Sequence, residues 1–216
     1  VNPGESIIIA ATAINHKAPY TNNNNISVTV QDPTLTVDLS NADFEVYAYP
    51  YKLALDPTAA AFASDLDNPA VPNMNVLHMT TVTDLILNAT GNESFAIVEP
   101  GNYFDFNNLV KVPLPTVTNI TATTALYVRV PVASIVDAVE LQHPLSSSRV
   151  ARRLPTAVDA GAFNVPGGQY SSQSAVRKTK RTTDDGRKIL QDTNNSSQDF
   201  GFLNVADPSK SSSSFL

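Results

Sequence analysis

Three histidines, His16, His78 and His143, are the side chains best suited to proton transfer or metal binding near neutral pH, and they lie far apart in the chain. None stands in the H-E-x-x-H spacing or a comparable ligand pattern. No serine occupies the G-x-S-x-G turn of a hydrolase, and the chain lacks both a P-loop and a dinucleotide-binding glycine pattern. There is no cysteine, which excludes disulfides, thiolate zinc sites and cysteine nucleophiles. Asp56, Asp65 and Asp67 bring together oxygen ligands of the kind calcium takes, but without EF-hand spacing. A solvated acidic loop is the simpler reading of these three. A hydrolase built from distant residues would need the histidines to converge with carboxylates. The expectation is therefore a protein that is not an enzyme, with no catalytic residues, no metal and no cofactor.

Charge is distributed unevenly. Before Arg149 there are 4 Lys or Arg against 14 Asp or Glu, and from Arg149 onward there are 10 against 6. The basic side chains Arg149, Arg152, Arg153, Arg177, Lys178, Lys180, Arg181, Arg187 and Lys188 are candidates for contact with nucleic acid or another partner through salt-dependent phosphate binding. No aromatic interleaves with them, so base stacking is not indicated. The alternative is a solvated linker with dibasic processing sites at Arg152-Arg153 and Lys180-Arg181. Charged residues make up only 16% of the chain, against about 25% in ordinary soluble domains, which points to a surface that meets other protein.

The elements that would position these groups read as β. The apolar run at residues 7–14 is short and β-branched, residues 26–30 alternate with period two, and residues 35–39 and 43–55 continue the pattern. Tyr47, Tyr49 and Tyr51 fall on one face of that last strand and are candidates for a subunit contact. Further strands are predicted at 76–83, 85–88, 95–98, 109–112 and 125–132. Asp56-Pro57 followed by alanines predicts one short helix over 56–63, and Ser134 with Asp137 resembles the capping box of a second over 134–142. No run approaches the ~20 apolar residues of a membrane span, and the start resembles no signal peptide. The absence of an initiator Met is read as cleavage from a precursor or as a further N-terminal segment.

The fold expected is all-β: an antiparallel, jelly-roll-like β-sandwich over residues 1–144, with one or two short helices. Residues 145–216 are expected to form a long, extended, basic, Ser/Asn-rich C-terminal arm, too poor in apolar side chains to fold alone and ordered by a neighbour. Residues 26–33 followed by 44–49 resemble the late strand pair of jelly-roll coat proteins from picornavirus-like RNA viruses. That resemblance implies a capsid subunit cut from a polyprotein and located in the virion. It would assemble through side-by-side contacts with other copies or related coat subunits, with an arm laid on neighbours and RNA as a further partner. Asp184-Asp185-Gly186 departs from the Asp-Asp-Phe or Asp-Asp-Met maturation motif of some relatives, and in that family the strand pair comes near the end of the chain. The alternative is an extracellular or cell-surface immunoglobulin-like glycoprotein module or appendage subunit, with sequons at Asn25, Asn88, Asn92 and Asn119.

Overall fold

The computed structural model describes residues 2, 4–79, 84–86, 91–101 and 104–216. Among these, twelve short strands succeed one another: β1 (Ile9–Ala10), β2 (Tyr20–Thr21), β3 (Ser27–Val28), β4 (Phe44–Glu45), β5 (Ser94–Val98), β6 (Lys111–Val112), β7 (Tyr127–Val128), β8 (Ile135–Glu140), β9 (Ser174–Arg177), β10 (Thr179–Thr182), β11 (Lys188–Leu190) and β12 (Phe200–Leu203). Two helices, α1 (Tyr49–Leu55) and α2 (Ser196–Asp199), interrupt them. The strands pair two by two into six small sheets. A mostly β chain with few helices is what the period-two patterns require.

The largest sheet joins β5 to β8, antiparallel from Ser94 opposite Glu140 to Val98 opposite Ile135, with a bulge between Ile97 and Val98. Residues 134–142 are thus largely strand where a helix is predicted. Ile135, Val136 and Val139 are β-branched, and the ladder with β5 satisfies backbone groups that an isolated capping box would leave to one short helix. The predicted helix at 56–63 is displaced to α1. Pro50 lies in its first turn, and Pro57 follows its C-cap residue, Asp56, where a helix cannot continue. The strands predicted over 76–83 and 85–88 run into positions 80–83 and 87–90, outside the described residues, and 76–79 have no strand structure.

Residues 145–216 carry β9 to β12. Strand β9 pairs antiparallel with β12, Arg177 facing Phe200 and Ser174 facing Leu203, and β10 pairs with β11 as a hairpin. This segment is tied to the earlier chain by the parallel bridge of Leu141 with Phe163 and by Arg177, whose guanidinium binds Asp137 of β8 at 2.6 and 2.7 Å.

Apolar burial is sparse. The buried cluster consists of Ala10, Ala13, Ala42 and Val71, with Ile8 and Leu39 packed against it. The largest fully buried side chains are instead Glu45, Glu140, Asp65, Asp159 and Asp199. A buried carboxylate is stable only when its oxygens are hydrogen-bonded, and the two glutamates meet that need in the same way. Glu45 accepts from the amides of Ala13 (2.9 Å) and Asn68 (2.7 Å). Glu140 accepts from the amides of Arg153 (3.1 Å) and Leu154 (2.9 Å). In each case the chain turns just past the captured amide, at Val71 N–H to Asn68 C=O and at Val158 N–H to Pro155 C=O. It then returns parallel to the strand that carries the glutamate, pairing Asn73 with Glu45 and Phe163 with Leu141. The two halves of the chain therefore repeat one device, a glutamate on a strand end that clamps a returning loop.

Replacing either glutamate by glutamine keeps the shape but turns an NH2 group toward a backbone N–H, leaving a buried donor unsatisfied at a cost of about 1–3 kcal/mol. Glu45→Gln and Glu140→Gln are each expected to lower the free energy of unfolding measured in urea by that amount. Because the two clamps share no partner, the double variant should lose the sum to within about 0.5 kcal/mol.

Candidate functional site

The three histidines, Asp56 and Asp67 each meet a separate hydrogen-bond partner. His16 Nε2 lies 3.2 Å from the Thr12 carbonyl, His78 Nε2 lies 3.3 Å from that of Leu126, and His143 Nδ1 accepts from the Leu145 amide at 3.0 Å. Asp56 accepts from Thr58 in a turn, and Asp67 accepts from the Asn73 side chain at 3.0 Å. Among the described residues no three His, Asp or Glu side chains are placed to share a metal ion.

Tyr47, Tyr49 and Tyr51 do not line one strand face. Tyr47 and Tyr49 pack with ring centroids 6.3 Å apart where the chain enters α1, and the Tyr51 hydroxyl accepts from the Met79 amide at 3.1 Å. Burial, and after it the carboxylates of Asp67 and Asp65, push the Tyr47 phenol up.

The nine basic side chains are divided. Arg149 donates to the carbonyls of His143 (2.9 Å) and Pro144 (3.1 Å), Arg152 to those of Ala160 and Asp159, Arg153 to that of Asn92, and Lys178 to that of Gln198 at 2.7 Å. Arg177 is half-buried over the Phe200 ring and gathers Asp137, Asp192 and Asp199 around it. Lys180, Arg181, Arg187 and Lys188 lie on the β10–β11 hairpin, whose tip carries Asp184 and Asp185. The first five bases thus fix the chain to itself, and only the hairpin presents a group of positive charge, tempered by its own acids.

Two further carboxylates complete the interior beside Glu140. Asp159 accepts from the amides of Ser196 (2.8 Å), Gly161 (3.0 Å) and Glu140 (2.9 Å) and from the Ser196 hydroxyl. Burial alone would raise its pKa, but those donors outweigh it and hold the carboxyl below the ordinary range. Asp199 behaves alike: burial raises it, and the amides of Thr193 and Asn195 with the side chains of Thr193 and Gln191 bring it lower. Asp65 is the exception. Burial pushes it up, the Ala48 amide offsets this only in part, and its Oδ2 has no hydrogen-bond partner among the described residues.

The clamp at Glu140 and the Asp159 network bring the strand end at Leu141–Pro144 beside Phe163–Val165 and the loop before β9. Between them lies a cleft of about 260 Å³ whose lining includes Gln142, Phe163, Asn164, Tyr170, Ser171 and Gln173, with no charged side chain among the residues that form it. The loop closes on itself through Gly167 N–H to Gln173 Oε1 (2.6 Å) and the Ser171 hydroxyl to the Gly168 carbonyl (2.8 Å). A Cβ at Gly167 would stand 2.7 Å from that of Ser171, so only glycine fits there. Nothing in residue type or spacing marked this cleft. The one legible signal for its supports was an acid inside an apolar strand run, as in Val139-Glu140-Leu141.

A family model described as a protein of unknown function, DUF4876, matches residues 2–207. The chain belongs to the DUF4876 family. The crystal structure of a DUF4876 family protein from Bacteroides thetaiotaomicron superimposes with a TM-score of 0.61 at 22% identity, covering 92% of this chain and 48% of that one. The DUF4876 chain therefore spans about half the length of that relative and shares its fold. No curated protein matches it. Membership overturns the picornavirus-like reading, and with it the capsid function, the virion location and the polyprotein origin. The resemblance at 26–33 and 44–49 rested on alternating residues, a pattern any half-buried strand shares. In this DUF4876 chain those stretches hold only the two-residue strands β3 and β4, in different sheets.

Asp159 and Asp199, with folded pKa values below the ordinary carboxylate value near 3.9, contribute stability that is present above that pH and is lost as pH falls through their folded values. Asp65, with a raised folded pKa, has the opposite sign: its contribution is full below about 3.9 and is lost as pH rises through the raised value. Asp159→Asn should cost about 1–3 kcal/mol at pH 7, and the deficit should shrink as wild type is titrated toward acid. Asp65→Asn should match or exceed wild-type stability at pH 7 and lose that advantage at acid pH. Thermal unfolding of the three proteins between neutral pH and about pH 3 reads both signs.

Proposed function

We propose that this chain is a non-catalytic interaction module that associates with a second copy of itself through the β5–β8 sheet. The observation that carries the reading is the exposure of large aliphatic side chains on its most extended sheet: Ile97 is 65% and Val136 58% exposed, and Phe95 is exposed beside them. Aliphatic surface on an ordered strand favours association, and a strand edge offers unpaired backbone groups to a partner. Among the described residues β5 pairs with β8 alone. Antiparallel pairing of two β5 strands about a two-fold axis at Ala96 would set Phe95 of one copy opposite Ile97 of the other, the self-complementary contact that a symmetric dimer needs. A sandwich-like layering would brace the sheet from behind, and it is supported by the Arg177 bridge from β9 to Asp137 on β8. The saturation of Glu45, Glu140, Asp159 and Asp199 by backbone donors supports a structural role for the acids rather than a catalytic one.

A contact made through one five-residue strand belongs with transient interfaces, so micromolar to millimolar association is expected. Sedimentation equilibrium should show concentration-dependent dimers, and Ile97→Lys should shift the chain to monomer without lowering its unfolding midpoint. Leu145→Lys, at a side chain just as exposed but outside the sheet, should leave the dimer intact. A monomer at every accessible concentration, or equal loss in both variants, would refute the proposal.

A further inference from the structure

The cleft beside the Glu140 clamp has three features that together point to a ligand class. No charged side chain is among the residues that line it, and the nearby Arg149 guanidinium is taken up by the Pro144 carbonyl and Asn164 Oδ1, so the lining presents no ionic group to pair with a charged ligand. Its polar groups are amides and hydroxyls with capacity to spare. Among the described residues, Asn164 receives Arg149 on Oδ1 with both of its own N–H donors unused, while Gln142 donates to the Val150 carbonyl with its side-chain carbonyl oxygen unused. Two aromatic rings frame it, Phe163 within and Tyr170 at the mouth.

Tyr170 is the least expected of these. It sits at φ 56 and Ser172 at φ 62, the left-handed region that side-chain-bearing residues seldom occupy. Tyr170 is 90% exposed. The loop that carries it is fixed by Gln173 and by the Ala206 amide to the Ser172 carbonyl, so the residue stands beside the cleft before any ligand arrives.

We propose that this cleft binds a neutral saccharide unit. Aromatic faces carry partial negative charge and attract the polarised C–H face of a sugar ring, while in-plane amides exchange hydrogen bonds with its hydroxyls. The volume of about 260 Å³ falls just below the ~300 Å³ lower end of drug-sized pockets, so one ring fills it and further residues of a chain would lie outside, past Tyr170. The cleft is distinct from the β5–β8 face, and neither reading depends on the other.

The test is a two-dimensional amide NMR titration of the whole chain with a panel of neutral probes: glucose, galactose, mannose, N-acetylglucosamine and their β-linked and α-linked disaccharides. At least one is expected to give saturable shifts confined to residues 141–144 and 163–175. Tyr170→Gly removes the ring while relieving the backbone strain, so the loop keeps its conformation. It should weaken binding about tenfold, whereas Tyr170→Phe should retain it. Glucuronate, of the same ring shape but charged, should bind less well than glucose. No saturable shift from any probe, shifts centred elsewhere, or undiminished binding in Tyr170→Gly would overturn the proposal. The Ile97→Lys monomer should bind as wild type does, so failure here is separate from failure of the dimer.

Discussion

A carboxylate out of water has to find donors, and in this chain the donors are backbone amides of loops that come back from far along the sequence. Glu45 reaches residues 13 and 68, Glu140 reaches 153 and 154, and Asp159 reaches 140 and 196. Each such contact is charge-assisted and directional, stronger than a neutral bond and specific about where the donor must lie. The small apolar cluster of three alanines and a valine could not set those loops by itself. The carboxylates thus take over the ordering that an aliphatic core would otherwise provide, and every other element is placed relative to them.

The clamp exists twice, which explains how two stretches with little evident sequence likeness arrive at the same local topology. Around Glu45 the returning loop carries Asn68-Pro69, and around Glu140 it carries Arg153-Leu154-Pro155. In both, proline follows the captured amide or amides and restricts the preceding residue to extended backbone, which presents the N–H outward to the acid. What differs is the far side. The second clamp is continued by Asp159, Ser196 and Asp199 into the Arg177 network, and this continuation anchors β9 and β12 to β8.

That continuation is also where sequence reading reaches its limit. β-rich character, the strand at 95–98 and the absence of familiar catalytic motifs are local properties, and they were legible from alternation and spacing. The ordering of residues beyond 145 was not. A count of apolar side chains finds few there, and the contacts that join the segment to β8 are an ion pair and hydrogen bonds. Arg177 was read as one of nine basic side chains available to nucleic acid or another partner, and it lies among three acids from two segments of chain. No periodicity encodes such a long-range pairing. Ser134 to Gln142 failed for a related reason: a capping signal is local, and the partner strand that overrode it lies some forty residues earlier. Tyr47, Tyr49 and Tyr51 were assigned to one face by period two, and the helix that begins at Tyr49 rotates them apart.

A fold organised this way divides its surface differently from one built on a greasy interior. With large carboxylates inside, the large aliphatic side chains are left outside, on β5 and β8 among other places. Stability then depends on a few directional bonds rather than on total burial, so exposed apolar positions are not held in place by the needs of the core. It also permits backbone strain. A loop such as 166–173 stays in an unfavourable conformation because its ends are fixed by hydrogen bonds to Val165, Gln173 and Ala206, not because its side chains are packed. The Tyr170 ring packs into no core there, and an exposed aromatic side chain carried on a fixed backbone is available for recognition.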